Sequence, residues 1–190
     1  MDYFLYLHGY KGSAVSPKAV ALKQFLSVLY PHAIIEMPSF DVNGKETLFE
    51  LSLKLDQAQG RKCIIGSSLG GFMAHIFMQD RDDISAVILI NPAMVEDLYA
   101  FIQAFDLLSH EYLEGQHLIA LAPKEPISRQ QDYLLLLQQD DTICLPEHSI
   151  RHMPEASIDL QYGQGHDYES IAKGFDAITV FLRSKEQECL

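Results

Sequence analysis

One short stretch, residues 63–71, constrains the fold more than any other part of the chain. An apolar run at residues 63–65 stops at a serine framed by glycines, Gly66-x-Ser68-x-Gly70, and apolar residues then recur at helical spacing. This frame is typical of a nucleophile elbow, a sharp strand-to-helix turn with a strained serine backbone, in which bulky neighbours would collide with the adjoining strand and helix. The stretch therefore predicts a strand, a tight turn and a helix, with Ser68 as the candidate nucleophile.

Other apolar runs recur along the chain and are separated by segments with the pattern of amphipathic helices. Runs without polar alternation are typical of parallel strands that are covered on both faces. A length of 190 residues with 48% hydrophobic content favours a single domain, residues 1–190. We therefore predict a three-layer α/β fold with a mostly parallel sheet of about six strands flanked by helices. Besides the run before Ser68, the predicted strands are Tyr3–Leu7, Ala33–Met37, Ala86–Ile90, Tyr133–Leu137 and Ser157–Leu160.

The regular alternation of strand and helix fails between residues 93 and 131. Residues 95–108 have a helical pattern, and Pro123 to Pro126 predict a break. The segment follows the carboxyl end of a strand that ends near Asn91, and open α/β sheets bind ligands at that edge. Two interpretations stay open: the insertion is a cap or lid over the serine, or it is an ordinary pair of packing helices.

A serine hydroxyl is a weak nucleophile that needs a base, usually a histidine oriented by a carboxylate. His166 follows the last predicted strand in a glycine-containing loop, and Asp141 follows the strand before it. The resulting order of Ser68, Asp141 and His166 is the one expected of α/β-hydrolases. Asp140 is a close alternative for the acid, and Asp106 in the insertion is a weaker one.

The segment His8-Gly9-Tyr10 comes directly after the first predicted strand. A loop at this position supplies one backbone N–H of the oxyanion hole in such enzymes, and the residue after the nucleophile supplies the other. The amides of Tyr10 and Leu69 are therefore the predicted oxyanion donors.

Neither the histidines nor the cysteines predict a metal site. His148 and His152 stand at positions i and i+4 of a predicted helix, but no convincing third ligand follows them. Cys63, Cys144 and Cys189 are odd in number and widely spaced, which fits reduced thiols rather than a disulfide framework or a zinc site. We expect neither a metal nor an organic cofactor.

The charge of the chain bears on its partners. A formal net charge of -12 and a pI near 4.9 disfavour binding to nucleic acid or to anionic membranes. The start of the chain has no basic segment followed by a cleavage site, and no apolar run approaches the length of a membrane span. We expect a soluble, cytoplasmic protein that acts on a neutral or small molecule.

Several motifs together resemble those of a known family. They are residues 5–10 (LYLHGY), residues 65–71 (IGSSLGG), Asn91-Pro92, Asp140-Asp141 and Gly165-His166. The chain is similar over nearly its whole length to the α/β-hydrolase superfamily, in particular to its small bacterial branch of YqiA-like esterases. This resemblance implies a short parallel sheet flanked by helices and the hydrolysis of small carboxylic esters without a cofactor.

The chain departs from the branch pattern at two places. Asp140-Asp141-Thr142 stands where the branch has Gly-Asp-Glu, which leaves the identity of the acid open, and the insertion after Asn91 is long, which leaves the substrate open. A thioesterase is the nearest alternative, although Lys11 and Lys18 are the only cations close to the His8 loop. A binding protein that keeps the fold without the activity is the alternative from another class.

Overall fold

The computed structural model describes residues 1–40, 44–104 and 109–187. Within these residues the chain forms six strands and seven α-helices, and none of these helices is long and apolar enough to cross a membrane. The strands are β1 (Tyr3–Leu7), β2 (Ile34–Glu36), β3 (Lys62–Ser67), β4 (Ile84–Ile90), β5 (Tyr133–Gln138) and β6 (Ser157–Gln161). The helices are α1 (Pro17–Leu29), α2 (Gly44–Gln57), α3 (Leu69–Asp80), α4 (Val95–Ala104), α5 (Ser109–Ala120), α6 (Pro146–His152) and α7 (Phe175–Gln187).

The six strands form one sheet in the order β2-β1-β3-β4-β5-β6, and all five neighbouring pairs are parallel. Because all strands run the same way, their carboxyl ends meet at one edge of the sheet. Strand β3, which ends at Ser67, lies between β1 and β4, so the residues after it are at the centre of that edge. The predicted mostly parallel sheet of about six strands is confirmed.

Alternate residues of the strands face two separate apolar cores. Tyr3, Leu5 and Leu7 of β1 lie in one core, together with residues of α2 and α3. Phe4 and Tyr6 lie in the other core, together with residues of α1 and α7. Both faces are covered, which explains why the strand sequences are apolar without alternation. The predicted three-layer arrangement is therefore present.

The segment between β4 and β5 contains the helices α4 and α5. We call these two helices the roof. Leu98 and Ile102 of α4 pack with Leu118 and Ile119 of α5 in the core on the α2 and α3 side. Residues 121–129, which include the predicted break, are not helical. The end of the predicted 95–108 helix lies outside the described residues, as does Asp106.

The end of α7 differs from expectation, since the sequence pattern predicts a frayed tail from Ser184 to Leu190. Helix α7 instead continues to Gln187. Lys185 is buried, its Nζ lies 3.1 Å from Asp132 Oδ1, and the terminal amine of Met1 lies 3.2 Å from Glu186 Oε1. The prediction is wrong for residues 184–187 because these ion pairs join the last turn to distant parts of the chain.

Candidate active site

Ser68 occupies a strained turn between β3 and α3. Its φ of 54° and ψ of -120° lie in a region that residues with side chains seldom adopt. A Cβ built on Gly66 would lie 2.3 Å from the carbonyl oxygen of Gly70, and one built on Gly70 would lie 2.2 Å from that of Leu7. Both glycines are thus required by the close approach of backbone to backbone, and the predicted strand-turn-helix geometry is present.

The structure brings Ser68, His166 and Asp141 together in a hydrogen-bonded line. The Nε2 atom of His166 lies 3.0 Å from the Ser68 hydroxyl oxygen, and Nδ1 lies 2.8 Å from Asp141 Oδ2. A carboxylate at Nδ1 favours a proton on that nitrogen, which leaves Nε2 free to accept the serine proton. This is the geometry that activates a serine hydroxyl.

The two neighbouring aspartates make different contacts. The Asp141 side chain is fully buried, and its Oδ1 accepts hydrogen bonds from the amides of Ile143 at 2.8 Å and Cys144 at 3.0 Å. Asp140 instead accepts from the amides of Gly163 and Gly165, at 2.9 and 3.1 Å. The first of these bonds is the main cause of the lowered pKa of Asp140. Asp141 therefore contacts His166, whereas Asp140 orders the loop that carries this histidine.

Asn91 connects that loop to the sheet. Its side-chain amide donates to the carbonyl oxygens of Gly165 and His166, both at 3.0 Å, and its Oδ1 accepts from the amide of Gln138 at 2.9 Å. Asn91 itself has a φ of 40°, a conformation that asparagine tolerates better than most residues. Asn91, which directly follows β4, therefore holds the His166 loop together with Asp140.

The loop after β1 passes close to Ser68. A Cβ on Gly9 would lie 3.1 Å from the Ser68 Cβ and 3.6 Å from its Oγ. His8 is buried, its Nε2 lies 3.2 Å from the amide of Phe40, and its Nδ1 lies 2.8 Å from the Gly9 carbonyl oxygen. These two contacts join the His8 ring to the backbone at Gly9 and Phe40, so His8 orders the loop.

The predicted oxyanion donors lie at the same cavity. Tyr10 and Leu69 both line it together with Ser68, and Leu69 is the first residue of α3. The N-terminus of a helix favours negative charge because its first amides have no partner within the helix. The Tyr10 hydroxyl donates to Glu111 Oε1 at 2.6 Å and so connects this loop to the roof.

A cavity of about 560 Å³ opens above Ser68, within the size range of small-molecule sites. One wall is apolar and comes mainly from the roof. The opposite wall is polar and comes from the loop after β1, the start of α1 and the loop that carries His166. The apolar wall includes Leu98, Phe101, Ile102 and Leu118, and the polar wall includes Ser13, Ser16, Lys18, Asp167 and Glu169.

Two buried groups, Cys144 and Tyr6, line the cavity near the serine turn or contact Ser68. Cys144 Sγ lies 4.0 Å from Ser68 Oγ, and burial raises the pKa of this thiol, which is therefore protonated at neutral pH. Burial likewise raises the pKa of Tyr6 to about 12. Beside such buried groups, fixed hydrogen-bond donors stabilise developing charge more strongly than in water.

Contacts between histidines and carboxylates join the roof to α6. Asp97 of α4 is buried, and its Oδ1 lies 2.6 Å from His148 Nδ1 and 3.2 Å from the amide of Leu145. His152 pairs with Glu96 and Glu125. The two histidines thus face different carboxylates, and within the described residues no group of three His, Cys, Asp or Glu side chains is placed to hold a metal ion.

The parallel sheet with helices on both faces is an α/β-hydrolase fold. Residues 3–183 match the profile of the family described as "Uncharacterised protein family (UPF0227)", so the chain belongs to that family, which is the YqiA-like branch that its motifs resemble.

Three solved structures show the same fold. Mouse alpha/beta hydrolase domain-containing protein 10 is 17% identical, with a TM-score of 0.75 over 99% of this chain and 90% of that one. Est1E from Butyrivibrio proteoclasticus is 15% identical, with a TM-score of 0.71 over 98% of this chain and 88% of that one. An esterase from Pyrococcus furiosus is 13% identical, with a TM-score of 0.69 over 96% of this chain and 81% of that one. At these identities the likeness concerns the fold.

Sequence reasoning predicted no contact for three residues at this site: Asn91, which it used only as part of a motif, Asp97, and Lys18, which it noted only as a cation close to the His8 loop. Asn91 orders the loop that carries His166, Asp97 joins α4 to the segment that follows Asp141, and Lys18 lines the polar wall. The Asn-Pro pair directly after a predicted strand is a signal for Asn91. The other two have no local signal, because their partners are distant in sequence.

Proposed function

We propose that this protein is a serine esterase that hydrolyses small carboxylic esters through an acyl-enzyme. The observation that carries the proposal is the line from Asp141 through His166 to Ser68, at 2.8 and 3.0 Å, on the floor of a cavity with one apolar wall. This arrangement can deprotonate a serine next to a bound carbonyl group and requires neither a metal nor an organic cofactor.

In the first half of the reaction, Ser68 Oγ attacks the acyl carbon while its proton moves to His166 Nε2. The carbonyl π electrons move to the oxygen, which becomes an oxyanion. Asp141 accepts the Nδ1–H bond and stabilises the imidazolium that forms. The histidine then donates its proton to the leaving alcohol, the C–O bond breaks, and the acyl group stays on Ser68.

The amides of Tyr10 and Leu69 are the donors that we assign to the oxyanion. The proposal is supported by the close passage of Gly9 over Ser68 and by the position of Leu69 at the first turn of α3. Removing one such donor typically costs about 3 to 4 kcal/mol of transition-state stabilisation. Because both donors are backbone amides, a substitution of the Tyr10 or Leu69 side chain would not remove them.

Water completes the reaction by attacking the acyl carbon, with His166 again as base, and the acid product leaves as Ser68 regains its proton. We assign residues 93–131 the role of a cap, since both of its helices line the cavity. The apolar wall that the cap supplies fits a short or medium acyl chain.

The two alternatives differ in what they require. A thioesterase acting on acyl-CoA needs cations at the mouth to bind phosphates, whereas Asp167 and Glu169 are exposed on the polar wall. A binding protein without activity does not need the aligned hydrogen bonds from Asp141 to Ser68. Both observations favour the esterase.

The test is turnover of p-nitrophenyl acetate, butyrate and octanoate by the wild type, Ser68→Ala and Ser27→Ala. Ser27 is an exposed serine of α1 whose hydroxyl donates to the carbonyl of Lys23, so it serves as the matched control. We expect turnover by the wild type and the control, and a loss of at least about 10⁴-fold in kcat for Ser68→Ala.

A fluorophosphonate probe, followed by peptide mapping, should label Ser68 in the wild type and the control. If the folded wild type turns over none of the three esters and the probe leaves Ser68 unlabelled, the protein is not a serine esterase.

A further inference from the structure

Lys18 lines the cavity beside the serine turn. It is the second residue of α1, is half-buried, and belongs to the polar wall. Its Nζ donates to the hydroxyl oxygen of Ser67 at 3.1 Å, and Ser67 directly precedes the candidate nucleophile. The ammonium group of Lys18 therefore contacts the residue next to the candidate nucleophile, and this partner, the Ser67 hydroxyl, is neutral.

This placement costs stability. Among the described residues, no carboxylate oxygen lies within ion-pair distance of the Lys18 ammonium. A cation in the first turn of a helix is also disfavoured by the helix dipole. Burial lowers the pKa of Lys18, an effect that the more distant Asp167 and Asp141 oppose. Fold stability alone therefore does not account for a lysine at this position.

The opposite wall of the cavity is apolar. Leu98, Ile102 and Leu118 pack in the core on the α2 and α3 side of the sheet, whereas α1 packs on the other side. Ser68 lies between them at the edge of the sheet. An ester whose carbonyl carbon is at Ser68 would therefore place one arm against the apolar wall and the other arm against Lys18.

We propose that Lys18 binds a single carboxylate on the substrate, so that the substrate class is an ester with one apolar arm and one arm that carries a carboxylate. The inference rests on the proposed esterase function and deepens it. A bound carboxylate would supply the ion partner that the ammonium lacks, and charge-assisted hydrogen bonds of this kind are among the strong polar contacts.

Two acidic residues limit the charge of that arm. Asp167 and Glu169 are exposed and line the same wall, at positions where solvent screens them more than it screens the half-buried Lys18. A compact monoanion can contact the lysine, whereas a chain of phosphates would meet both acids. The wall therefore selects one negative charge rather than several.

The experiment compares matched esters that differ in one charge. The first pair is 4-carboxyphenyl butyrate and 4-carbamoylphenyl butyrate, and the second is the p-nitrophenyl monoester of adipic acid and p-nitrophenyl hexanoate. The first pair places the carboxylate on the alcohol arm, and the second pair places it on the acyl arm. The ratio of kcat/KM for the charged and neutral members is measured for the wild type, Lys18→Met, Lys18→Arg and Lys23→Met.

We expect the ratio to fall by about tenfold in Lys18→Met for the pair whose carboxylate reaches the lysine, and to fall by less than about threefold in Lys18→Arg. Lys23 is exposed on the same helix, so Lys23→Met removes the same charge away from the cavity and should leave both ratios unchanged. The melting temperature of Lys18→Met should equal or exceed that of the wild type.

Unchanged ratios in a Lys18→Met enzyme that still hydrolyses neutral esters would overturn the carboxylate proposal and leave the esterase proposal intact. A lower melting temperature with an equal loss on charged and neutral esters would also overturn it, because Lys18 would then be structural. If the wild type hydrolyses no ester at all, both proposals fail.

Discussion

The floor and the roof of the cavity are built in different ways. The floor comprises the serine turn, the His8–Tyr10 loop, Asn91 and the loops that carry Asp141 and His166, and it depends on close approach between backbones. The roof, α4 and α5, is held by apolar side chains and by pairs between histidine and carboxylate. We therefore expect the floor to tolerate substitutions less well than the roof.

The two regions should therefore have different functions, the floor in the reaction and the roof in the choice of substrate. The groups that we assign to the reaction are all on the floor, and most of the apolar wall that meets the substrate comes from the roof. Substitutions in the floor should therefore lower kcat or unfold the protein. Substitutions in the roof should instead change which ester is accepted.

The largest effect should come from the acid on the floor. Asp141→Asn keeps the shape of the side chain but favours the wrong histidine tautomer, so Nε2 no longer accepts the serine proton. We expect kcat to fall by about 10⁴-fold. The measurement is steady-state turnover of p-nitrophenyl butyrate, with circular dichroism to show that the variant is folded.

Asp140→Asn is the matched control for this substitution. Asp140 accepts hydrogen bonds from the amides of Gly163 and Gly165, and an asparagine oxygen can keep one of them. We expect a loss in kcat of less than about tenfold. An equal loss in the two variants would show that Asp141 has no special role.

A pair of glycines tests whether the floor is the more constrained region. In Gly70→Ala the new methyl group would lie 2.2 Å from the Leu7 carbonyl oxygen and 2.5 Å from that of His8, so backbone has to move. We expect a loss of at least about 3 kcal/mol in the free energy of unfolding. Urea denaturation measures it.

Gly115→Ala makes the same change in the roof. Its methyl group would lie 2.8 Å from Cδ1 of Ile102, the end of a flexible side chain. Alanine also has a higher helix propensity than glycine, by about 1 kcal/mol. We expect the unfolding free energy to stay within about 1 kcal/mol of the wild type. A larger loss here than in Gly70→Ala would reverse the comparison.

Asn91→Ala should show a smaller effect than Asp141→Asn or Gly70→Ala. Asn91→Ala removes three hydrogen bonds and places alanine at a φ of 40°. We expect a loss of about 2 to 3 kcal/mol in unfolding free energy and a larger change in kcat than in KM. Asn91→Asp keeps the acceptor but turns an oxygen towards two carbonyls, so it should not restore activity. Full activity in both variants would show that the loop does not depend on Asn91.

The floor was largely predictable from the sequence because its constraints are local. The spacing of Gly66, Ser68 and Gly70 follows from a turn in which backbones nearly touch, and His166 and Asp141 follow strands whose carboxyl ends must meet in a parallel sheet. The sequence favoured Asp141 over Asp140 only narrowly, because adjacent residues point in different directions and the folded loop decides which one meets His166.

The roof was less predictable. A helical pattern over residues 95–108 predicts α4. It does not predict that Asp97 of this helix contacts His148, which lies 51 residues later in the chain. The final turn of α7 was mispredicted for the same reason. Its polar sequence resembles a frayed end, and its stability comes from Asp132 and the amine of Met1, which are distant in sequence.

Two histidines should make the stability of the protein depend on pH, and the larger effect should belong to His75 on α3, the helix that follows the serine turn. Burial lowers the pKa of His75 to about 3, below its ordinary 6.5. The unfolded chain therefore binds a proton that the folded chain does not, and stability falls as pH decreases from 6.5 towards 3. The slope should not exceed about 1.4 kcal/mol per pH unit. In urea denaturation, His75→Gln should be less sensitive to acid than the wild type, and an equal sensitivity would contradict the assignment.

His152 at the end of α6 should show the opposite sign and the smallest effect. Although burial opposes its protonation, the carboxylates of Glu125 and Glu96 raise the pKa of His152 above its ordinary 6.5. Its contribution is therefore fully present below pH 6.5 and is lost as pH rises through the higher folded value. Arg151 also pairs with Glu96 and keeps part of the contact when the histidine is neutral.

We expect His152→Gln to lower the melting temperature slightly near pH 6 and not at all near pH 9. Because Glu96 lies in the first turn of α4, the same variant should change the ratio of octanoate to acetate turnover at the lower pH while leaving acetate turnover nearly constant. A melting-temperature deficit that grows with pH would show that His152 stabilises the roof as a neutral side chain, and the pairs between histidine and carboxylate would then not be what holds it.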